Sequence, residues 1–213
     1  MERLAIIIPV KAPRDGKSRL AGVLPEHERH ALNLRLFRHT LDQVAALSDI
    51  ADVHVVSKSN DALAEARQRG FATYLEPEAC DLNGAIALGA QQAEAGGARE
   101  IMVLPIDLPW LTSGRLRSVV DEFHAGADVM IITDLAADGT NVLLWRPIGT
   151  ARFQYGISSA VRHADMARAL GLRITMRQDA ELSFDLDTPQ DLQTWSRDAG
   201  AANPSGATRW SGW

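Results

Sequence analysis

The feature that most constrains the fold is an uninterrupted apolar segment near the start of the chain. Residues 4–10 read Leu-Ala-Ile-Ile-Ile-Pro-Val, with no charged or polar side chain among them. A strand covered on both faces has this pattern, whereas a strand with one solvated face alternates apolar and polar residues. The segment is also too short to cross a membrane, which takes about 20 residues. It therefore predicts a buried strand of a parallel sheet.

Strand and helix patterns alternate along the rest of the chain. Apolar segments predict further strands at 53–56, 71–75, 101–104, 128–133 and 141–145. Apolar residues at helical spacing, capping residues and terminal glycines predict helices at 25–47, 61–69, 82–95, 112–124, 159–170 and 189–197. Such alternation implies right-handed crossovers between strands. The predicted fold class is α/β, with a mostly parallel central sheet and helices on both faces.

Length, charge and cysteine content bound the class of protein. At 213 residues, one domain over residues 1–198 is expected, followed at 199–213 by a flexible tail rich in Ala, Gly, Ser and Pro. A net charge of −5 argues against a broad nucleic-acid face. The single cysteine, Cys80, excludes an intramolecular disulfide and fits a reducing compartment. With no signal-peptide or membrane-span pattern, the expected location is the cytoplasm.

A cationic loop follows the first predicted strand, where ligands of such sheets bind. Residues 11–19 carry four cations, among them Lys11, Lys17 and Arg19, around Gly16. Backbone amides near a glycine together with lysine and arginine side chains suit a phosphate group. The loop is not a P-loop, because Lys11 stands where that motif requires a glycine. It predicts a phosphate-binding site, and a solvated basic turn is the alternative.

Three aspartates are candidate ligands for a divalent cation. Asp107 lies between two prolines just after the predicted strand 101–104, where it suits Mg²⁺, a cation that takes one or two carboxylates plus substrate phosphates. Capping of the next helix is the alternative for Asp107. Asp185 and Asp187 alternate with apolar residues, so a strand would point both carboxylates to one side. Like charges this close repel unless a metal or another cation compensates, and an exposed edge strand is the alternative.

Helix starts and polar loops supply further candidates. Asn83 opens the predicted helix at 82–95, where its amide could contact a base or ribose, with an ordinary helix cap as the alternative. The segments 138–141 and 155–159 offer hydroxyls, glycine backbone and a second helix start, which suit a carboxylate or phosphate. The six histidines show no zinc-like spacing and receive no catalytic role. Cys80 receives none either, since no base stands beside it in sequence.

The order of these motifs resembles a known family. From residue 4 to about residue 195 the chain is similar to the 2-phospho-L-lactate guanylyltransferase family. Its members join GMP from GTP to 2-phospho-L-lactate, phosphoenolpyruvate or 3-phospho-D-glycerate in coenzyme F-420 biosynthesis and release pyrophosphate. The motifs that carry the resemblance are Pro9-Val10-Lys11 with Lys17-Ser18-Arg19-Leu20, Leu82-Asn83, Pro105-Ile106-Asp107-Leu108-Pro109, Gly139-Thr140-Asn141, and Phe184-Asp185-Leu186-Asp187-Thr188-Pro189.

The resemblance implies a Rossmann-like nucleotidyltransferase fold and a division of labour among the candidate residues. Lys11, Lys17 and Arg19 would hold the triphosphate, and Asn83 would contact the nucleotide. Mg²⁺ would bind Asp107 with Asp185 or Asp187. The acceptor-binding positions of the family map onto Thr140, Gly156 and Ser159. The implied partners are GTP and a phosphorylated three-carbon acid, without nucleic acid or membrane, and a homodimer is left open.

The acceptor loop departs from the family pattern. Where a Phe-Gly-Pro-x-Ser sequence is expected, this chain has Tyr155-Gly156-Ile157-Ser158-Ser159. The altered loop at Ile157 and Ser158 leaves additional polar groups for the acceptor, which favours 3-phospho-D-glycerate, the acid with a free hydroxyl. Two other functions are considered: a nucleotidyltransferase of the same fold with a molybdenum-cofactor or sugar-phosphate acceptor, and a non-catalytic nucleotide-binding protein that uses the same cationic loop.

Overall fold

The computed structural model describes residues 3–11 and 16–200, without the side chains of residues 198–200. The predicted tail at 199–213 therefore lies almost wholly outside the described residues, and the domain bounds 1–198 stay a prediction. The strands are β1 (Leu4–Val10), β2 (Ala51–Ser57), β3 (Ala72–Leu75), β4 (Glu100–Val103), β5 (Val129–Thr133), β6 (Thr140–Trp145) and β7 (Ile174–Arg177). The helices are α1 (Glu26–Ala45), α2 (Asn60–Gln68), α3 (Leu82–Ala95), α4 (Ser113–Gly126), α5 (Ser159–Ala169) and α6 (Pro189–Gly200).

The seven strands form one sheet in the order β3-β2-β1-β4-β6-β5-β7. All neighbouring pairs are parallel except those of β6, which runs antiparallel to both β4 and β5. The predicted mostly parallel sheet is thus confirmed. In the hairpin from β5 to β6, Gly139 packs closely against the Asp134 side chain, since a Cβ there would lie 2.6 Å from Asp134 Oδ2.

Helices cover both faces of the sheet, as the continuous apolar pattern of β1 predicts. Ile6 and Ile8 contribute to a core shared with side chains of α1, α2 and α4. Ala5 and Ile7 contribute to the opposite core, which contains side chains of α3 and α5. Since successive side chains of a strand point to opposite faces, a strand buried on both sides has no polar position.

Helix boundaries follow the capping signals in the sequence. Helix α3 occupies the predicted residues, with the Asp81 side chain accepting from Gly84 N. Thr112 caps α4 by accepting from Arg115 N. Helix α6 begins at Pro189, and Thr188 Oγ1 accepts from Asp191 N. These N-caps satisfy backbone donors that a helix leaves unpaired in its first turn.

The structure differs from the sequence interpretation at two segments. Strand β7 was not predicted, because its residues are only partly buried at the sheet edge and lack a continuous apolar pattern. The strand expected around Asp185 and Asp187 is an irregular segment instead. Its alternation is real, since Phe184 and Leu186 are buried against α1 and α6. Its backbone hydrogen bonds, however, go to a loop and a side chain instead of a neighbouring strand.

No helix in the described part of the chain is long and apolar enough to span a membrane.

Candidate active site

A cavity of about 170 Å³ opens where the carboxyl ends of β1 and β4 meet at the centre of the sheet. In the sheet, β1 lies between β2 and β4, so the strand order changes direction between β1 and β4. Open α/β sheets bind ligands in the crevice at such a point. The cavity is lined by Pro9, Leu82, Ile86, Val103, Pro105, Asp107, Thr140, Asn141, Tyr155 and Asp185. Three sequence-predicted site residues, Asp107, Thr140 and Asp185, are therefore brought together.

Lys17 lies between two of the predicted carboxylates. Its Nζ is 3.0 Å from Asp187 Oδ1 and 3.3 Å from Asp107 Oδ2, and its side chain is 5% exposed. Burial opposes the charge of the ammonium, but the charges and hydrogen bonds of Asp107 and Asp187 outweigh it and raise the pKa of Lys17. Lys17 is therefore a fixed cation beside the cavity instead of a solvated surface lysine.

The backbone at Gly16 and Lys17 has two unusual features. Lys17 itself has a φ of 58°, in the left-handed region. A Cβ on Gly16 would lie 1.8 Å from Asn33 Nδ2, so only glycine allows this close approach to α1. Gly16 therefore packs directly against the Asn33 side chain of α1.

Asp185 is the perturbed carboxyl of the site. Burial and the negative charges of Asp107 and Asp187 raise its pKa to about 6. The backbone holds the three together, because Leu186 N donates to Asp107 O at 2.9 Å. The Asp191 carboxylate accepts from Asp187 N and so fixes the other end of the segment. The expectation that Asp185 and Asp187 approach one site is met without the predicted strand.

No group of three or more His, Cys, Asp or Glu side chains in residues 3–11 and 16–200 has the arrangement of a metal site. Asp107 and Asp187 have side chains 28% and 36% exposed, and Asp107 lines the cavity together with Asp185. One or two carboxylates are what Mg²⁺ takes when substrate phosphates complete its coordination.

The other predicted cations lie at the rim. Arg19 Nη1 is 3.6 Å from Asp187 Oδ2, and its side chain is 73% exposed. Lys11 directly follows β1 and is exposed. The structure therefore separates one buried cation, Lys17, from two exposed ones.

Asn83 contacts the chain itself. Its Nδ2 donates to Tyr155 O at 3.3 Å, and its Oδ1 accepts from Tyr155 N at 2.7 Å. This two-bond contact holds the loop that contains Gly156, so the amide has a structural partner in addition to the nucleotide contact predicted for it.

Thr140 and Ser159 form a buried pair with His163. Ser159 Oγ is 3.2 Å from Thr140 Oγ1, which is 3.0 Å from His163 Nδ1. Gly156, in the preceding loop, has a φ of 123°, a conformation that favours glycine. The structure thus brings together two of the three predicted acceptor residues and joins them to a histidine.

The start of α5 is less available than the sequence suggests. Ser158 N donates to Asp138 Oδ2, Ala160 N donates to Asp138 O, and Ser159 N donates to Gly156 O. Three amides at this helix start therefore have partners, and the predicted contact between a ligand and the helix start stays a prediction.

Sequence reasoning missed His163, Asn141 and Tyr155. Asn141 Nδ2 donates to Leu182 O at 2.9 Å, which ties β6 to the turn before Asp185. The Tyr155 hydroxyl is buried, has no hydrogen-bond partner within the described chain, and its pKa is raised by burial. Asn141 and Tyr155 belong to the polar segments 138–141 and 155–159, whereas nothing in the sequence distinguishes His163 from the other five histidines.

Comparison with known proteins agrees with this geometry. The family described as "Guanylyl transferase CofC like" matches residues 4–195. A phosphoenolpyruvate guanylyltransferase of Rubrobacter xylanophilus is 34% identical over 186 residues, covering 87% of this chain and 90% of that protein. A 2-phospho-L-lactate guanylyltransferase of Methanothermobacter thermautotrophicus is 31% identical over 190 residues, covering 87% of this chain and 81% of that protein.

The fold also has solved counterparts. The structure of a nucleotidyl transferase from Methanothermobacter thermautotrophicus superimposes with a TM-score of 0.62 at 13% identity, covering 94% of this chain and 99% of that one. At this identity the likeness concerns the fold alone, and it confirms the predicted Rossmann-like nucleotidyltransferase architecture.

Proposed function

The chain belongs to the family of CofC-like guanylyl transferases, and on this premise we propose that it transfers GMP from GTP to a phosphorylated three-carbon acid and releases pyrophosphate. The observation that carries the proposal is the buried Lys17 between Asp107 and Asp187, beside a cavity at the ends of β1 and β4. A buried cation and exposed carboxylate oxygens at one point suit a metal-bound triphosphate.

The reaction does not require the protein to transfer a proton. The acceptor phosphate is already an anionic nucleophile, so no general base is required to activate it. What the reaction requires is in-line placement of the acceptor and neutralisation of charge on the α-phosphate and the leaving pyrophosphate. Lys17 supplies a fixed positive charge for this purpose, and the exposed Lys11 and Arg19 bind phosphates from the rim.

The donor set around Lys17 fits Mg²⁺. Asp185 has its pKa raised to about 6 because it is buried beside Asp107 and Asp187, so an added cation relieves repulsion there. Asp107 and either Asp185 or Asp187 would hold the ion. When bound, Mg²⁺ acts as a Lewis acid on the phosphate oxygens. Lys17 contacts Asp107 and Asp187 and offsets one of their two negative charges, which lowers the repulsion between the acidic cluster and GTP.

The acceptor end of the cavity has hydroxyls and a glycine-containing loop. Thr140 lines the cavity, Ser159 lies behind it, and Gly156 stands in a loop held by Asn83. These groups suit the carboxylate or phosphate of a small acid. The names of the relatives favour phosphoenolpyruvate or 2-phospho-L-lactate, whereas the altered loop favours 3-phospho-D-glycerate. With GTP and such an acid as substrates, the chain would act in coenzyme F-420 biosynthesis, in the reducing cytoplasm that a lone cysteine fits.

The experiment that tests the proposal is pyrophosphate release from GTP with each of the three acids in turn. The matched controls are a blank without acceptor and the same reactions with ATP and CTP. We expect release that depends on both GTP and one of the acids. Release that requires a sugar phosphate or a molybdenum cofactor precursor would assign another acceptor to the same fold. GTP binding without release above the blank, under any acceptor, would leave a non-catalytic nucleotide-binding protein.

A further inference from the structure

A buried histidine stands behind the acceptor end of the cavity. His163 in α5 is fully buried, with its Nε2 3.0 Å from Gln154 N and its Nδ1 3.0 Å from Thr140 Oγ1. A backbone amide can only donate, so Nε2 must accept. In the neutral ring the proton therefore sits on Nδ1. Burial, with a smaller contribution from Arg162, lowers the pKa of His163 to about 4, so the ring is neutral near pH 7.

This tautomer fixes the direction of the hydrogen bonds beyond it. His163 Nδ1–H donates to Thr140 Oγ1, so the Thr140 hydroxyl cannot donate to the ring. Ser159 Oγ lies 3.2 Å from the same oxygen, and one of the two hydroxyls donates to the other. Two O–H groups are present and one is used between them. The pair is left with one hydrogen to donate, and Thr140 lines the cavity.

We propose that His163 is a positioning residue that fixes Thr140 and Ser159 as a hydrogen-bond donor pair for the anionic group of the acceptor acid. The inference rests on the proposed function, because it assumes that the acid occupies this end of the cavity. A carboxylate or phosphate oxygen is a pure acceptor and matches a donor pair. The opposite tautomer would draw the Thr140 proton toward the ring and leave Gln154 N–H without its acceptor.

The first test is the tautomer itself, which does not depend on turnover. In the ¹⁵N-labelled protein at pH 7, the His163 ring is assigned by comparing its spectrum with that of His163→Gln. We expect a protonated Nδ1 and an unprotonated Nε2. A proton on Nε2 would overturn the inference, because Thr140 would then donate to the ring.

The second test separates this role from a purely structural one. His163→Asn places an amide donor near Nδ1 and keeps the bond to Thr140, but it loses the acceptor for Gln154 N–H. His163→Gln places an acceptor near Nε2 and keeps the bond to Gln154, but it loses the donor to Thr140. If His163 acts by orienting Thr140, His163→Gln should be the more impaired variant. If it acts only by anchoring the loop at Gln154, His163→Asn should be the more impaired one.

For the acceptor acid, we expect KM to rise about tenfold or more in His163→Gln and to stay within about threefold of the wild type in His163→Asn. KM for GTP and kcat at saturating acid should change little in both. The effect of His163→Gln should disappear in a Thr140→Val background, because His163 acts through that hydroxyl. The reverse ranking, or equal losses in both variants, would overturn the inference.

Failure of the proposed function gives a different result. A wild type without acid-dependent pyrophosphate release contradicts the proposed function, whereas a wild type that turns over with an unaffected His163→Gln contradicts only the role of His163. Without turnover, the same ranking is read from calorimetric Kd values for phosphoenolpyruvate, 2-phospho-L-lactate and 3-phospho-D-glycerate, each with and without GTP. Absence of binding of all three acids would overturn both statements.

Discussion

Lys17 is held in the site by two carboxylates and by its own burial, so its charge cannot be replaced by a neighbour. In Lys17→Met the apolar stem is retained and the ammonium is lost. We expect kcat/KM for GTP to fall by about 10²–10³-fold, the usual cost of one positioned donor to a developing charge. The fold should survive with a lower melting temperature, because Asp107 and Asp187 lose the cation that offsets their repulsion but remain partly accessible to water.

The control for this change is Lys58→Met. Lys58 is an exposed lysine whose Nζ donates to the Glu78 and Cys80 carbonyls, away from the carboxylate cluster. Its loss removes the same charge from the molecule and should leave kcat/KM within about threefold of the wild type. Equal activity of Lys17→Met and Lys58→Met would contradict a role of Lys17 in binding the phosphates of GTP.

For single residues, the sequence predicted which side chains belong to the site better than it predicted which side chains contact one another. Asp107 and Thr140 were identified from motifs and lie in the cavity. The pairing of Lys17 with Asp107 and Asp187 was not predicted, because it depends on distances across about 90 and 170 residues of chain. His163 was missed for the same reason, since its role comes from contacts with Thr140 and Gln154 that no local pattern announces.

Helix α3 contains Asn83, which holds the loop at Tyr155. The close approach of this helix to the sheet depends on Gly89. A Cβ on Gly89 would lie 2.7 Å from Ile7 Cγ2 and 3.0 Å from Val56 Cγ2, both fully buried in neighbouring strands. In Gly89→Ala the gain in helix propensity, about 1 kcal/mol, is outweighed by overpacking of roughly 1–3 kcal/mol. We expect a lower free energy of unfolding by about 1 kcal/mol, measured by urea denaturation.

Gly114 in α4 provides the matched control. A Cβ there would meet no atom within 4 Å, and the residue is exposed. Gly114→Ala should leave the free energy of unfolding unchanged or raise it by up to about 1 kcal/mol. If the two alanine variants were equally stable, the close packing of α3 on β1 and β2 would be contradicted.

Elements with continuous apolar patterns or clear caps were predictable, and those defined by tertiary bonds were not. β1 and α3 were predicted at their observed bounds because burial on both faces and a capping aspartate are visible in sequence. β7 is a strand that the sequence did not predict, whereas the segment 184–187, interpreted as a strand, is irregular. Edge pairing makes a strand of a half-exposed sequence, while bonds from Leu186 and Asp187 to Asp107 and Asp191 prevent one.

Across the whole molecule, Asp179 connects α4, β7 and the turn that leads to the site. Its carboxylate accepts from Arg115 and Arg177 and from the backbone N–H groups of Glu181 and Leu182, and its side chain is 1% exposed. Burial opposes its charge, but the hydrogen bonds from Arg115 and Arg177 lower its pKa to about 2. The charged form therefore stabilises the folded state.

This shift makes the stability of the molecule depend on pH. Because the folded pKa of Asp179 lies below its ordinary value, its contribution is complete above about pH 5 and is lost as the pH falls toward 2. The difference in unfolding free energy between the wild type and Asp179→Asn should shrink by about 1 kcal/mol from pH 5 to pH 3. A constant difference for Asp179→Asn would contradict the assigned role.

The central proposal is that the whole molecule transfers GMP from GTP to an acid. The most direct measurement follows the label from α-³²P-GTP and γ-³²P-GTP in parallel reactions with phosphoenolpyruvate, 2-phospho-L-lactate and 3-phospho-D-glycerate. With one acid, we expect α-label in a new guanosine product that also contains the acid, and γ-label in pyrophosphate. Gamma-label in orthophosphate with α-label in GDP, or no acid-dependent product at all, would contradict it.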